Sequence, residues 1–199
     1  MGSKVLAING SYRDDGLTDQ ALDVVVDALE SSGARVETVQ LREYPIEFCL
    51  NCRACTQEPG ATPGQCVHDD GMRALIRKIE EADVYVLAAP TNFGSVTAIF
   101  KRFMERLIVY AYWPWGTPAP KPRNAKAPKK KALLISSCAA PGFLGRLLYG
   151  THKQLRTAAQ TIGAKPVGTL FMGLISLEPD TRLPEKTRRR AQVLASRLL

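Results

Sequence analysis

Three groups of residues in this chain carry donors or nucleophiles able to do chemistry. The first is Asn9-Gly10-Ser11-Tyr12-Arg13-Asp14-Asp15-Gly16-Leu17-Thr18, which follows the apolar run Val5 to Ile8 and opens an amphipathic segment. Read as a strand, a turn and a helix start, it presents unpaired backbone N–H groups and the positive end of the helix dipole, a setting that suits a phosphate. Ser11 and Thr18 add hydroxyls and Arg13 a planar cation. Three carboxylates, Asp14, Asp15 and Asp19, crowd the same loop. One of them a few ångströms from a dianion costs on the order of 1 kcal/mol or more unless it is paired or turned away. Neither G-x-G-x-x-G nor G-x-x-x-x-G-K-[ST] is present, so neither standard nucleotide loop is used.

The second group is Pro90-Thr91-Asn92-Phe93-Gly94-Ser95, at the end of the apolar run 83–89. A fixed φ at Pro90 and a missing side chain at Gly94 suit a loop whose backbone approaches a planar ligand. The third is Cys49, Cys52, Cys55 and Cys66, with His68 close by. The C-x-x-C-x-x-C run resembles one corner of an iron–sulfur site, and four thiolates can also close a tetrahedral zinc site. The reading adopted is a loop without metal, its thiols reduced or forming a redox-sensitive pair, with iron–sulfur and zinc as alternatives. Cys138 reads as a small apolar residue of the core or pocket. His68 and His152 read as surface or helix-start residues.

The elements that must position these groups alternate in type. Helical spacing covers 18–32, with Thr18 as N-cap, and Gly33 ends it. Residues 34–41 read as a half-exposed edge strand, 70–82 as a helix and 83–89 as a buried central strand. A helix follows to about 107, then a proline-rich, aromatic and basic loop over 110–128. Residues 131–137 are a buried strand followed by Ser137 to Gly142, 145–162 a helix, 166–172 a fifth strand and 184–199 a closing amphipathic helix. Five strand–helix alternations predict an α/β sandwich in three layers, a five-stranded parallel sheet of order 2-1-3-4-5 with helices on both faces. Ligands of such sheets sit at the carboxyl ends of strands one and three, where the first two groups of residues fall.

At 199 residues the chain is read as a single domain over 1–199, and 45% hydrophobic with 23% charged residues excludes a disordered or fibrous class. No apolar run reaches the roughly 20 residues of a membrane helix. The N-terminus runs straight into a strand, so no leader is expected and the cytoplasm is the expected location. The net charge of +8 lies largely in 121–131 and 186–190, read as solvated surface; no nucleic-acid-binding signature accompanies it.

Three segments together resemble the NAD(P)H-dependent FMN reductase family of flavodoxin-like proteins, which includes iron–sulfur flavoproteins and relatives of quinone and azo reductases. They are 9–18, similar to the family's G-S-x-R-x-x-G-x-T phosphate loop; the cysteines with Asp69-Asp70; and 82–103, similar to the strand, the P-x-x-x-G-S loop and the following helix. Tyr12 and Leu17 depart from the family's usual proline and small polar residue. The resemblance implies a flavodoxin-like fold and an FMN phosphate held by Ser11, Arg13 and Thr18 with backbone donors of Gly16 and Leu17. It implies that Pro90, Thr91, Asn92, Phe93, Gly94 and Ser95 lie along the flavin ring; by position, Ser137 borders its other side.

The implied activity is hydride transfer from NAD(P)H, a co-substrate, through FMN to a small-molecule electron acceptor: a quinone, azo or nitro compound, free flavin or metal ion. No side chain is assigned as catalytic, because FMN carries the hydride chemistry. Tyr110, Tyr112, Trp113 and Trp115 are read as a lid over the ring or a dimer interface. Charge alone points Lys121, Arg123 and Lys126 to the extra phosphate of NADPH. A homo-oligomer, dimer or tetramer, is expected, with no nucleic acid and no membrane span. The alternatives are a flavodoxin-type electron carrier, against which the basic charge argues; an iron–sulfur flavoprotein using the four cysteines; and a non-enzymatic redox or metal sensor.

Overall fold

Alternate residues of the strands pack into two different cores, and that alternation is what makes the fold three-layered. The computed structural model describes residues 2–174 and 181–199. Its main sheet is parallel, with strands β1 (Lys4–Asn9), β2 (Arg35–Gln40), β3 (Val84–Ala88), β8 (Lys130–Ser137) and β9 (Ala164–Met172) in the order β2-β1-β3-β8-β9. Counted among these strands alone, that is the expected order 2-1-3-4-5.

Val5 and Ala7, Val84, Val86 and Ala88, and Leu133 and Ile135 pack with α1 (Leu17–Ser31) and α6 (Glu185–Ala195) on one face. Leu6 and Ile8, Tyr85 and Leu87, and Ala132 and Leu134 pack with α2 (Gly71–Glu81), α3 (Ala98–Arg106) and α5 (Thr151–Thr161) on the other. Central strands of a parallel sheet are covered on both faces, so both side-chain sets are apolar. The edge strand β2 keeps Arg35, Glu37 and Thr38 at the surface, as its mixed sequence predicts. At the end of α1, Gly33 takes φ +85, the left-handed conformation that closes a helix at low cost.

Three sequence expectations change. The helix read from Thr18 begins at Leu17, and its N-cap is Gly16, with Thr18 inside the first turn. The single helix over 145–162 is two, α4 (Gly142–Leu148) and α5, broken where the Gly150 N–H turns away to bond Gly94 O at 2.8 Å. The segment 90–95 is part of a tight antiparallel hairpin, β4 (Thr91–Asn92) with β5 (Ser95–Val96). Phe93 and Gly94 at its tip have φ +52 and +74, the pair of positive values that defines a type I′ turn. A Cβ at Gly94 would meet its nearest atom, Tyr149 Cδ1, at an ordinary 3.7 Å. Glycine is therefore needed there for its backbone conformation and not for room. A second small hairpin, β6 (Ala111–Tyr112) with β7 (Lys121–Pro122), orders part of the basic loop.

Candidate functional site

The carboxyl ends of β1, β3 and β8 lie side by side, with Asn9 opposite Ala88 and Ala88 opposite Ile135. The loops that leave them are tied together. Gly10 donates its N–H to Ala88 O at 2.8 Å, and the Thr97 hydroxyl, which caps α3, donates to Gly10 O at 2.6 Å. A Cβ on Gly10 would stand 2.8 Å from Phe100 Cβ, so this glycine lets α3 seat against the loop.

Across that seam the predicted residues fall into two sets. Ser11, Gly16, Leu17 and Thr18 gather at the N-terminus of α1. Gly16 carries no side-chain cap, and the first-turn N–H groups have no acceptor within the helix. A Cβ on Gly16 would stand 3.3 Å from Arg13 Cβ and 4.0 Å from Ser11 Oγ, so the missing side chain leaves a small cradle. Thr18 and Ser137, both buried, share a hydroxyl hydrogen bond of 2.8 Å from α1 to β8. Ser137 is thus brought to the N-terminus of α1. The Ser11 hydroxyl donates to Arg13 O and its N–H to Asn9 Oδ1, so Ser11 holds the loop's shape as well as lining it.

The second set is the hairpin. Thr91 Oγ1 is buried without a hydrogen-bond partner among the described residues, whereas Asn92 and Phe93 are exposed at the tip. Ser95 is committed: its hydroxyl donates to Gln154 Oε1 at 2.9 Å, and the same oxygen accepts the Val96 N–H at 2.9 Å. Gln154 on α5 therefore pins the hairpin from 59 residues away, and no local signal in the sequence marks it. Replacing it by leucine strands both donors. The expected cost is about 1–3 kcal/mol, or roughly 2–12 °C in a chain of this size. Thermal denaturation checks the first, and faster proteolysis at the hairpin checks that the loss is local.

The aspartates of the loop are accounted for. Asp14 Oδ1 lies 2.5 Å from Arg42 Nη2, and Asp15 Oδ2 lies 2.6 Å from Arg182 Nη1. Asp19 accepts the Asn9 side-chain N–H at 2.7 Å and lies 3.6 Å from Arg42. The sequence marks Asn9 only as the start of the loop, and it assigns Arg42 and Arg182 no role. Arg42 stands just beyond β2, the neighbour of β1, and its place in the strand order was the one available signal.

The four cysteines converge separately. Cys49, Cys52, Cys55 and Cys66 line one cavity with His68 and Arg106. Burial pushes the Cys55 thiol up to about 11, with the neighbouring sulfurs adding to it. Arg106, 1% exposed, donates to both Asp70 carboxylate oxygens at 2.7 and 3.1 Å, to Glu47 O and to Cys66 Sγ at 3.4 Å. No group of three or more His, Cys, Asp or Glu side chains among the described residues is arranged to hold a metal ion.

The aromatic loop serves this cysteine loop. The Arg53 guanidinium lies 3.8 Å from the Trp113 ring centre and 4.2 Å from that of Trp115, and it donates to Trp113 O. Tyr110 is buried with its hydroxyl on Glu80. Arg123, expected at a dinucleotide phosphate, spends its guanidinium on Ala111 O, Gly60 O and Cys55 O.

A family model described as NADPH-dependent FMN reductase matches residues 3–173. An iron–sulfur flavoprotein of Archaeoglobus fulgidus is 36% identical over 111 residues, 56% of this chain and 48% of the relative. One from Methanocaldococcus jannaschii is 31% identical over 103 residues, 52% of this chain and 51% of the relative. The chain spans about half the length of the curated relatives it matches. Among solved structures, an FMN-dependent NADH-azoreductase from Bacillus anthracis in complex with FMN superposes with a TM-score of 0.71 at 13% identity, covering 100% of this chain and 99% of that one. An NAD(P)H:quinone oxidoreductase from Methanothermobacter marburgensis gives 0.66 at 17%, covering 99% and 97%. At these identities the two structures speak for the fold alone.

Proposed function

The chain belongs to the NADPH-dependent FMN reductase family, and from that premise we propose that it is an FMN-dependent oxidoreductase that takes electrons from NAD(P)H and passes them to a small-molecule acceptor. The observation that carries the reading is the uncapped start of α1 beside the Thr18–Ser137 hydroxyl pair, across the strand switch from a rigidly pinned hairpin. The residues fit FMN: a cradle at Gly16 for the phosphate, and an orphaned Thr91 hydroxyl with a glycine-turned backbone for the ring.

Ser11, Arg13 and Thr18, with the N–H groups of Gly16 and Leu17, would hold the phosphate by charge-assisted hydrogen bonds and the helix dipole. Pro90, Thr91, Asn92, Phe93, Gly94 and Ser95 would border the ring, with Ser137 at the phosphate end. FMN supplies the hydride chemistry when bound. The protein's own part is orientation: Gly10, Thr97 and Gln154 fix the two loops relative to each other, so the ring face presented to the dinucleotide is set by the sheet. No general acid or base is required of the side chains.

Exposed apolar side chains recur in the segments that leave the strands on this side. Tyr12, Phe48, Phe93, Phe143, Leu147 and Leu174 each follow the carboxyl end of a main-sheet strand and stand open to solvent. A contiguous patch of such residues is an association surface, and we read these six as one. It supports a homo-oligomer joined near the site and an apolar acceptor such as a quinone or azo compound. No helix among the described residues is long and apolar enough to cross a membrane; a cytoplasmic location and action as one FMN-binding domain over 1–199 belong to the same proposal.

The test is spectroscopic. Purified protein, or apoprotein given FMN, shows flavin absorption that bleaches on anaerobic addition of NADH or NADPH. Absence of flavin uptake sinks the proposal, and bound flavin that neither nucleotide reduces points instead to an electron carrier. A second reading, an iron–sulfur flavoprotein, is favoured by the four cysteines lining one cavity. As placed they do not form a ligand set among the described residues. Iron and acid-labile sulfide in protein purified without oxygen decide it.

A further inference from the structure

The carboxylates of the loop before α1 gather around one cation. Arg42 follows β2 and reaches over the loop with a side chain only 18% exposed. Its Nη2 lies 2.5 Å from Asp14, its Nη1 3.6 Å from Asp19 and 3.5 Å from Ser11 O, and its Nε 3.3 Å from Glu43. Asp19 continues the chain through Asn9 to the Ser11 N–H, at 2.7 and 2.9 Å. One cation therefore touches both walls of the loop and is joined by hydrogen bonds to its backbone.

We propose that Arg42 is a positioning and charge-balancing residue that makes this loop selective for a flavin bearing a phosphate. The proposal rests on the FMN reading above. Asp14, Asp19 and Glu43 lie 2.5, 3.6 and 3.3 Å from Arg42, so without the guanidinium three negative charges would stand unbalanced beside the loop assigned to a dianion. The Asp14 partner is 86% exposed, and a pair of that kind adds little to folding stability. Its effect on a bound dianion is larger, because repulsion scales with the ligand's charge and is felt only when the phosphate arrives. Riboflavin has the same ring system and no phosphate, so it is indifferent to this balance.

The experiment measures FMN and riboflavin dissociation constants for wild-type apoprotein, Arg42→Gln, Arg42→Lys, and Arg42→Gln combined with Asp14→Asn. The expected result is about a tenfold weaker FMN affinity for Arg42→Gln at low salt, shrinking as added salt screens the charges. Riboflavin affinity stays within about twofold, and the melting temperature within a few degrees. Arg42→Lys and the added Asp14→Asn each restore much of the lost FMN affinity. The inference is overturned if Arg42→Gln binds FMN as wild type does, if FMN and riboflavin weaken together, or if Asp14→Asn gives no rescue. A wild type that fails to prefer FMN over riboflavin overturns the FMN reading itself, and with it this role for Arg42.

Discussion

An Asp70→Asn variant is expected to lose about 3–5 kcal/mol of folding stability, the range for removing one partner of a buried ion pair. A domain whose whole margin is about 5–15 kcal/mol feels such a loss as partial unfolding at modest temperature. The cause is Arg106, which is 1% exposed and carries its charge among apolar neighbours. Both Asp70 oxygens accept from it, and the same carboxylate accepts the Met72 N–H that caps α2 and the Glu47 N–H of the cysteine-bearing segment. Asparagine keeps one of the two acceptor oxygens, turns an N–H₂ donor toward the other pair of donors and removes the charge, so the guanidinium is left buried without compensation.

The pH dependence has a definite sign. Burial alone would raise the Asp70 carboxyl, but the Arg106 hydrogen bonds and the two backbone N–H groups hold it below the ordinary 3.8. A depressed carboxyl contributes stability that is present in full above that ordinary value and lost as pH falls through the folded one. Urea unfolding should therefore separate wild type from variant at neutral pH and bring them together in acid. Adding Arg106→Met to Asp70→Asn should recover part of the loss, because the uncompensated charge goes with it. Additive losses would argue that packing, not charge, sets the cost.

A Gly16→Asp variant is expected to move stability and ligand affinity in opposite directions. Gly16 is the N-cap of α1, with φ −69 and ψ 161, a conformation open to any residue. Aspartate is a better cap than glycine and favours the helix dipole, so the melting temperature should hold or rise slightly. The contact of its Cβ with Arg13 Cβ at 3.3 Å needs a shift of only a few tenths of an ångström. A phosphate bound at the same N–H groups would meet the new carboxylate at close range. Two charges 4 Å apart at an effective dielectric near 20 interact by about 4 kcal/mol, and solvent at this open loop cuts that to about 2 kcal/mol. FMN affinity should fall roughly 30-fold, while riboflavin affinity changes little. Titration of apoprotein with each flavin, beside a melting curve, reads both. Unchanged FMN affinity would place the phosphate elsewhere.

These variants fall on residues of unequal legibility in the sequence. Gly16 stands in a segment whose composition already pointed to a helix start at a strand end. Asp70 was expected inside the helix 70–82, and it is the cap instead. Its role rests on Arg106, which nothing nearby in sequence announces. The hairpin 90–95 was legible as a turn from Pro90 and Gly94, but its rigidity comes from Gln154 and Gly150. The break between α4 and α5 was missed for the same reason: Gly150 leaves the helix to bond Gly94. Likewise the composition of the aromatic loop over 110–128 leaves a lid and a dimer interface both open, and only the fold shows that Trp113 and Trp115 stack on Arg53 of the cysteine loop.

By itself the sequence determined the alternation of strands and helices, the parallel order with β2 at an edge, and which loops gather at the carboxyl ends of β1 and β3. These follow from apolar runs, helical spacing and turn residues, whose energetics are settled among near neighbours along the chain. Only the tertiary structure decided how the loop's carboxylates are neutralised. Asp15 meets Arg182 from 167 residues away, and Asp14 and Asp19 meet Arg42 from the far side of β2. An ion pair depends on where separate loops dock, and docking is fixed by the packing of two cores against one sheet. No local pattern of residues encodes that distance.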